Sequence, residues 1–410
     1  MTAVCRYCAG PLTRELIDLG RQPLANDYLA PTAAAIAAER SYPLRVMICD
    51  GCFLVQVEES VPADAIFHHD YAYFSSFSAS WVTHARRYAE AMIARFGLGP
   101  GSKVVEVASN DGYLLQHFVA RGVPCLGVEP AGNCAEAAKA IGVDTVVDFF
   151  NRATASRLAG EGHAADLIAA NNVLAHVPEI DDFVAGIAVL LKPEGVATFE
   201  FPHLLRMIAE TQFDTIYHEH YSYLSLGIVE RVLMGHGLRV FDVEHLATHG
   251  GSIRVFACWA DARHEETAAV EETRQAEQAA RLDHPDGYAE FAGRAAAMRD
   301  RLRRFLDTAK ARGERVAGYG AAAKGNTFLN FCNADTSDIA FVVDQNPEKQ
   351  GRLLPGSHIP VHAPGTLAAE RPELILILPW NLAGEVAAEH AYVADWGGRF
   401  VVAAPRLRVL

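Results

Sequence analysis

Short hydrophobic runs alternate with segments of helical periodicity through the middle of the chain. Five of these runs are predicted to be strands, because each is bounded by turn-forming residues and is too short for a helix. They lie at residues 104–108, 125–129, 145–147, 166–171 and 196–201. Strands separated by helices are typical of βα units in a parallel sheet, and two further runs at 239–244 and 252–258 predict an antiparallel edge.

A second βα pattern begins late in the chain. Its predicted strands lie at residues 315–320, 339–343 and 374–378. The stretch before it, residues 263–310, is rich in Ala, Glu and Arg and predicts long helices with a solvated face. A chain of 410 residues is also too long for one ordinary core.

We therefore predict an α/β fold in three parts, residues 1–70, 71–262 and 263–410. The first is a small cysteine-containing module, and the second is a Rossmann-like domain. The third is a helical linker followed by another Rossmann-like domain.

Charge and hydropathy argue against two classes of partner. The chain has 36 Lys and Arg residues against 50 Asp and Glu residues, and its net charge of -14 argues against a nucleic-acid-binding surface. No apolar run approaches the roughly 20 residues that span a bilayer, and the first residues lack the apolar core of a signal peptide. We expect a cytoplasmic protein with a small-molecule partner and with cysteines that are not paired as disulfides.

Four cysteines in the first part form two C-x2-C pairs, Cys5 with Cys8 and Cys49 with Cys52. Each pair can turn both thiolates toward one ion, and four thiolates fill a tetrahedral zinc shell without leaving a position for water. The pattern therefore predicts a structural zinc ion rather than a catalytic one. The alternative is four unrelated cysteines.

The first strand of the second part runs into a turn of small and polar residues. The residues that we expect to contact a cofactor there are Glu106, Ser109, Asn110 and Asp111. Glu129 ends the next strand, where an acid commonly holds a ribose diol. The turn lacks the G-x-G-x-x-G that a pyrophosphate needs, which favours S-adenosylmethionine over NAD. Asn171 and Asn172, at a later strand end, complete the expected site, and a domain for another nucleotide is the alternative.

An ordered set of motifs covers the whole chain. After the four cysteines come Ser109-Asn110-Asp111-Gly112, Phe199-Glu200-Phe201-Pro202, Tyr217-His218-Glu219-His220, Thr248-His249-Gly250-Gly251-Ser252 and Gly318-Tyr319-Gly320-Ala321-Ala322-Ala323-Lys324-Gly325. In this order they resemble the sugar C-methyltransferase family, which makes branched deoxysugars on TDP-linked 4-keto-hexoses. The resemblance implies a class I methyltransferase domain between the zinc module and the third part. It also implies S-adenosylmethionine as methyl donor and an NDP-keto-deoxysugar, expected to carry TDP, as substrate.

Carbon methylation imposes its own requirements on the site. A sugar carbon becomes nucleophilic when a neighbouring ketone makes its C–H bond acidic, so the enzyme needs a base and a group that stabilises the enolate oxygen. By resemblance, His220 is the candidate base. Tyr217 and His176 are candidates for binding the ketone or stabilising the enolate.

Three further residues are expected at the same site. Glu219 is a candidate for orienting a histidine or for holding a substrate amine or hydroxyl. Tyr71 is expected to complete the catalytic groups, and Tyr73 to contact the substrate. Two alternatives stay open. One is that His218, Glu219 and His220 are metal ligands, with the two histidines able to chelate one ion from the same face of a strand; the other is that this segment is an aromatic part of the core.

The third part repeats the strand, turn and helix pattern. The backbone amides of its small-residue turn can hold a diphosphate, and Lys324 can add a charge. Tyr319 and Asn326 flank the turn, and Asp344 follows the next strand at a place suited to a nucleoside. We expect this part to bind the nucleotide half of the substrate, with bound NAD or a purely structural role as alternatives.

Other functions are compatible with parts of the pattern. They are O- or N-methylation of a sugar nucleotide, NAD-dependent oxidation of a sugar, and zinc-dependent binding without catalysis. Neither the methylated carbon nor the oligomeric state follows from the sequence.

Overall fold

The first of three sheets is antiparallel and belongs to the N-terminal module. A computed structural model describes residues 3–58, 61, 62, 66 and 74–410. The strands, in sheet order, are β1 (Arg14–Gln22), β2 (Tyr42–Ile48), β3 (Val55–Val57) and β9 (Ser222–Tyr223). The short helix α1 (Ala33–Ala38) lies between β1 and β2. Because β9 comes from a distant part of the chain, this sheet ties the module to the segment just before β9.

The second sheet has seven strands. In chain order they are β4 (Val104–Val107), β5 (Cys125–Val128), β6 (Thr145–Val146), β7 (Ala165–Asn171), β8 (Leu191–Pro202), β10 (Leu238–Leu246) and β11 (Ser252–Trp259). Their order in the sheet is β10-β11-β8-β7-β4-β5-β6, and β11 runs antiparallel to both neighbours. This is the sheet of a class I methyltransferase, which confirms the predicted fold. The order reverses between β4 and β7, where the carboxyl ends of the strands open a crevice.

Seven helices accompany this sheet in the described part of the chain. They are α2 (Ala79–Phe96), α3 (Leu115–Val119), α4 (Gly132–Ala140), α5 (Arg152–Gly160), α6 (Ile180–Leu190), α7 (Leu204–Glu210) and α8 (Leu226–Met234). Helix α2 begins at the Ser78 cap, whose hydroxyl accepts the N–H of Trp81, and ends at Gly97 in the left-handed conformation. Trp81 is thereby fixed in the first turn of the helix.

The third sheet is a second Rossmann-like unit, as predicted. Its strands are β12 (Val316–Tyr319), β13 (Val342–Val343), β14 (Val361–His362), β15 (Leu374–Ile377), β16 (Arg399–Val402) and β17 (Arg408–Val409), in the sheet order β14-β13-β12-β15-β16-β17. Helices α9 (Ala268–Ala279) and α10 (Phe291–Ala311) precede it, and α11 (Ala323–Phe331), α12 (Thr366–Glu370) and α13 (Ala383–Glu389) belong to it. Within the described ranges, no helix combines the length and apolar character that crossing a membrane requires.

All ten strands predicted for the second and third parts are present, and two differ clearly in length. Strand β8 begins at Leu191, because its pairing with β7 continues past an irregularity near Ala165. Strand β13 is short because the N–H of Ile339 bonds to Asp335 in a turn rather than to a neighbouring strand. Strand β1 was not predicted from the sequence, because its buried and exposed positions do not alternate regularly.

The N-terminal module docks directly onto the third domain. The hydroxyl of Tyr28 donates to the carbonyl oxygen of Ala321 at 2.5 Å. The side-chain amide of Asn326 donates to the carbonyl oxygen of Ala25 at 2.6 Å. Buried apolar residues of both parts also form one continuous core. The segment around Asn26 is therefore held beside the turn that follows β12.

A fully buried carboxylate on β8 joins several elements behind the crevice. Glu200 accepts hydrogen bonds from Arg254 at 2.7 Å, from His84 at 3.0 Å and from the Thr248 hydroxyl at 3.3 Å. Burial alone would raise the pKa of Glu200, but His84 and Arg254 outweigh it and lower the pKa. An ionised carboxylate therefore connects the sheet with α2 and with the loop before β11.

We expect Arg254→Met to lower the free energy of unfolding by about 3–5 kcal/mol, because Glu200 would keep a buried charge without its cation. The matched control is Arg157→Met, which removes an exposed pair with Asp148 and should change stability by at most about 1 kcal/mol. Urea denaturation followed by fluorescence gives both values. Equal effects of the two substitutions would contradict the role given to the buried network.

Candidate active site

A cavity of about 680 Å³ lies at the carboxyl ends of β4, β5 and β7. This volume is in the range of small-molecule sites. All three parts of the chain contribute to its wall. Asn26 comes from the module, Glu129 and His176 from the central domain, and Lys324 and Lys349 from the third domain.

One end of the cavity follows β4 and β5. The two carboxylate oxygens of Glu129 accept the backbone N–H groups of Asn110 at 2.8 Å and Ala131 at 2.9 Å. These bonds fix the carboxylate at the wall, and its remaining lone pairs can accept hydrogen bonds from a ligand diol. A Cβ on Gly127 would lie 2.3 Å from the Ser109 hydroxyl, so the strand and the turn approach this closely only with glycine there.

A short segment before α2 covers the turn after β4. The N–H of Ser75 donates to the Asn110 side chain at 2.9 Å, and the N–H of Ser76 donates to Asp111 at 3.1 Å. Trp81 stacks on Tyr113, with 6.2 Å between ring centroids, and both line the cavity. Asn171 and Asn172 line it at the end of β7, and Asn172 adopts a left-handed conformation with φ of 53°. This end of the cavity is thus lined by polar asparagine side chains at the strand ends and by the aromatic pair of Trp81 and Tyr113.

The opposite end contains a single turn formed by residues 217–220. The N–H of His220 donates to the carbonyl oxygen of Tyr217 at 2.9 Å, and the two rings lie 4.0 Å apart. His220 Nδ1 lies 2.7 Å from the carbonyl oxygen of Thr215 and must donate to it. The neutral ring therefore carries its lone pair on Nε2. The ring of His176 packs 4.7 Å from that of His220.

Burial keeps these histidines neutral. It lowers the pKa of His220 well below the ordinary value, and electrostatic interactions with His176 and Lys324 act in the same direction, because a second positive charge in the cavity would be unfavourable. Burial also lowers the pKa of His176 to about 4. At neutral pH His220 is therefore a neutral ring with an unprotonated Nε2, which is the form that a general base requires.

Glu219 lies between the module and the cavity. One of its carboxylate oxygens accepts the side-chain amide of Asn26 at 3.0 Å. The other oxygen is buried without a hydrogen-bond partner among the described residues, and Glu219 lines the cavity. Burial raises the pKa of this carboxyl group. The free oxygen is suited to a hydroxyl or amine of a ligand.

His249 is a cavity residue that sequence reasoning left out of the site. It lies between β10 and β11 in a left-handed conformation with φ of 54°, and its ring meets Trp81 at 5.1 Å. Burial, followed by the charge of Lys324, lowers its pKa to about 4. The following Gly250 and Gly251 also have positive φ. This glycine pair is the feature of the sequence that could have indicated an unusual loop at His249.

The four predicted zinc ligands meet in the module. Their sulfur atoms lie within 4.8 Å of one another, with 3.6 Å between Cys5 and Cys52 and 3.4 Å between Cys8 and Cys49. Tetrahedral ligands at about 2.3 Å from zinc would be about 3.8 Å apart. Gln56 also donates to the sulfur of Cys5 at 3.2 Å, a hydrogen bond that favours the thiolate form of a zinc ligand. These residues fit a closed zinc site with four cysteine ligands.

Comparison with known proteins assigns the family. The chain is 36% identical over 406 residues to "C-methyltransferase NovU" of Streptomyces niveus, and the match covers 99% of this chain and 96% of the relative. This chain belongs to the same C-methyltransferase family. Its cofactors are accordingly S-adenosylmethionine and zinc.

Family models match the C-methyltransferase in three consecutive segments. They are described as "Putative zinc binding domain" at residues 5–67, "Methyltransferase domain" at 81–243 and "C-methyltransferase C-terminal domain" at 247–405. A "Ubiquinone biosynthesis O-methyltransferase" of Bartonella bacilliformis is 32% identical over 104 residues, which cover 25% of this chain and 42% of that relative.

Solved structures resemble the C-methyltransferase more distantly. Magnesium protoporphyrin IX methyltransferase of Synechocystis PCC 6803 with bound SAM is 13% identical, with a TM-score of 0.37, and the match covers 50% of this chain and all of that one. Because the TM-score is below 0.5, this likeness adds nothing to the assignment.

Three predicted cofactor residues of the C-methyltransferase support the wall without lining it. Glu106 is buried, and burial, with the charges of Glu129 and Asp111, raises its pKa well above the ordinary value. Ser109 packs against Gly127, and Asp111 accepts from Ser76. Direct contact of these three residues with the cofactor stays a prediction. Their positions behind the cavity wall do not favour it.

Only one of the predicted substrate residues of the third domain lines the cavity among the described residues. Lys324 lines the cavity, whereas Tyr319, Asn326 and Asp344 are not among its described lining residues. The hydroxyl of Tyr319 bonds to His390, and Asp344 accepts the N–H of Ala321 at 2.7 Å. The polar groups of these residues thus stabilise the domain. Tyr71 and Tyr73 lie outside the described residues.

The geometry does not favour metal binding by His218 and His220. His218 Nε2 bonds to the carbonyl oxygen of Pro43 at 3.2 Å, while His220 lines the cavity. Among the residues that the structure describes, only the four cysteines form a group suited to a metal ion. The segment turns once rather than running as a strand, so the two rings face different surroundings.

We expect Cys49→Ala to lose the zinc ion and the methyltransferase activity, but to keep S-adenosylhomocysteine affinity within about threefold. Zinc stabilises the module, whose strand β3 pairs with β9, and β9 begins two residues after His220, so loss of zinc should disturb the base. The cofactor end of the cavity lies in the central domain and should keep its affinity. Elemental analysis, calorimetry and a methyl-transfer assay measure these three properties. Cys332→Ala, a buried cysteine outside the cluster, should retain zinc; full activity of the zinc-free Cys49 variant would contradict the prediction.

Proposed function

We propose that this C-methyltransferase methylates the carbon next to the ketone of an NDP-linked 4-keto-deoxysugar, with TDP as the expected nucleotide. The observation that carries this proposal is the hydrogen bond from His220 Nδ1 to Thr215, which leaves Nε2 as the basic nitrogen in the same cavity as the acid Glu129. O- or N-methylation needs no enolate. His220 and the cationic Lys324 line the same cavity, and enolate formation uses a base together with a group that stabilises the oxyanion.

The cofactor supplies a methyl group bound to a sulfonium sulfur. His220 Nε2 takes the proton from the carbon next to the ketone, while its Nδ1–H stays bonded to Thr215. Tyr217 and His176 lie against the His220 ring and are placed to orient the sugar or to donate toward its oxygen atoms. Glu219 holds a sugar hydroxyl or amine through its free oxygen.

The nucleotide half extends toward the third domain. Ala322 and Ala323 line the cavity at the start of α11. The N–H of Ala322 donates to the carbonyl oxygen of Gly320, whereas the N–H groups of the first turn of α11 have no intrahelical acceptor and can bind a diphosphate. Lys349 lies on the same side, with Nζ 2.7 Å from the carbonyl oxygen of Ala321. The turn and this lysine support a diphosphate position. Nucleoside recognition near Asp344 stays a prediction.

The proposal is tested with methyl-¹³C-labelled cofactor and a panel of TDP-linked 4-keto-deoxysugars. We expect one new carbon–carbon bond, seen as coupling between the labelled methyl carbon and a ¹³C-enriched sugar ring by NMR. The matched control substrates carry a hydroxyl in place of the ketone and should not react, because their ring C–H bonds are not acidic. Label recovered on oxygen or nitrogen would refute the proposal.

We expect His220→Asn to slow deuterium exchange of the α-hydrogen at least 1000-fold with S-adenosylhomocysteine bound, because Nε2 is the proton acceptor. In the unmodified enzyme, the lowered pKa keeps His220 unprotonated below the ordinary histidine range. The acid limb of the exchange rate should therefore lie below about pH 6.5. NMR measures both quantities. The control His284→Asn, at an exposed loop, should change neither the exchange rate nor its pH dependence. Normal exchange by the His220→Asn variant would exclude His220 as the base.

A further inference from the structure

We propose that Lys324 is a further catalytic residue, whose ammonium group binds the ketone oxygen of the sugar and stabilises the enolate rather than holding the diphosphate. The inference rests on the proposed function. It changes the role that the sequence suggests for this lysine, and it depends on where α11 packs.

Helix α11 places Lys324 against the segment that contains the base. The ring of Phe328 packs on Phe213 with 5.1 Å between centroids. The hydroxyl of Thr327 donates to the carbonyl oxygen of Ile216 at 2.9 Å. These contacts of its second turn hold α11 beside residues 213–216, and Lys324 lies three and four residues before them on the same helix face. Lys324 lines the cavity together with His220 and His249.

Among the described residues, neighbouring side chains hold the ammonium group of Lys324 without a direct ion pair. Nζ donates to the side-chain oxygen of Asn381 at 3.0 Å and lies 5.2 Å from the ring centre of Trp380. The indole N–H of Trp380 in turn donates to the buried carboxylate of Asp214 at 2.7 Å. Burial lowers the pKa of Lys324, and the charge of Asp214 opposes this effect. An ammonium group has three donors, and the structure describes one hydrogen bond of Nζ, to Asn381, so donors remain for a ligand.

The base and the cation are anchored to adjacent residues. Asp214 fixes Trp380 under the ammonium group, and the carbonyl oxygen of Thr215 accepts from His220 Nδ1. A cation near the N-terminus of a helix is electrostatically unfavourable, so helix stability does not explain Lys324. A site that removes a proton and stabilises the resulting oxyanion does explain it.

The proposed step conserves atoms and charge. The C–H bond next to the ketone breaks, and the proton goes to Nε2 of His220. The electron pair forms the carbon–carbon double bond, and the ketone oxygen takes the negative charge, which faces the ammonium group of Lys324. When the carbon forms its bond to the methyl group, the bond between that methyl group and the cofactor's sulfonium sulfur breaks, and its electron pair stays on the sulfur as S-adenosylhomocysteine. The carbonyl is restored, and the negative charge of the oxygen and the positive charge of the sulfonium are both lost.

The experiment compares Lys324→Met with Lys349→Met in the zinc-loaded full chain. Three quantities are measured: α-hydrogen exchange at saturating TDP-4-keto-deoxysugar, kcat for methyl transfer, and the Kd of TDP alone. For Lys324→Met we expect exchange and kcat to fall at least 100-fold, as for loss of an oxyanion donor, with the Kd of TDP changed less than threefold. Lys349→Met should raise the Kd of TDP at least tenfold, so that the two variants separate the diphosphate contact from the exchange step.

Lys324→Arg controls for folding, because it keeps the charge. It should retain at least one tenth of the exchange rate and the urea midpoint of the unmodified enzyme. A tenfold higher Kd of TDP with normal exchange in Lys324→Met would assign Lys324 to the diphosphate and overturn the inference, as would no change in any quantity. If the unmodified enzyme neither exchanges nor methylates any keto-sugar nucleotide, the proposed function itself fails, which is a separate outcome.

Discussion

The hydrogen bond from His220 Nδ1 to the carbonyl oxygen of Thr215 is the interaction on which the site depends. It fixes one tautomer and leaves Nε2 basic. The bond spans only six residues, but a single turn of this length has no stability of its own. It is held from one side by β9, which pairs with β3 of the module, and from the other by the packing of Phe213 on α11. The chemistry of one turn therefore depends on contacts with two other parts of the chain.

This dependence gives the zinc module a physical role without any role in the reaction. A module this small has little core of its own, and a closed site of four cysteine ligands supplies the missing stability. The module then contributes Asn26, which fixes one oxygen of Glu219, and Tyr28, which bonds to the turn after β12. Zinc binding and catalysis are thus coupled through the position of a few side chains rather than through the metal ion.

The sequence was sufficient wherever local spacing dictates structure. Two C-x2-C pairs have few arrangements other than a shared ion, and short apolar runs between helices specified the parallel strands. The sequence was insufficient where the direction of a side chain decides whether the residue reaches the cavity. Glu129 follows the end of β5 and reaches the cavity, whereas Glu106 lies inside β4, where alternation along the strand turns it away. His249 reaches the cavity through a left-handed backbone conformation, and Lys324 through the docking of α11, neither of which residue type alone specifies.

Burial has two effects in this cavity, and the proposed reaction uses both. It lowers the pKa of His176, His220 and His249, so the base starts unprotonated even beside a lysine. The same low dielectric strengthens the attraction between a cation and a developing oxyanion. Once the proton has moved, His220 is a cation next to an enolate, and opposite charges replace two neutral groups. A solvated site would weaken that attraction, so desolvation favours proton removal only when the cation and the base are already in position.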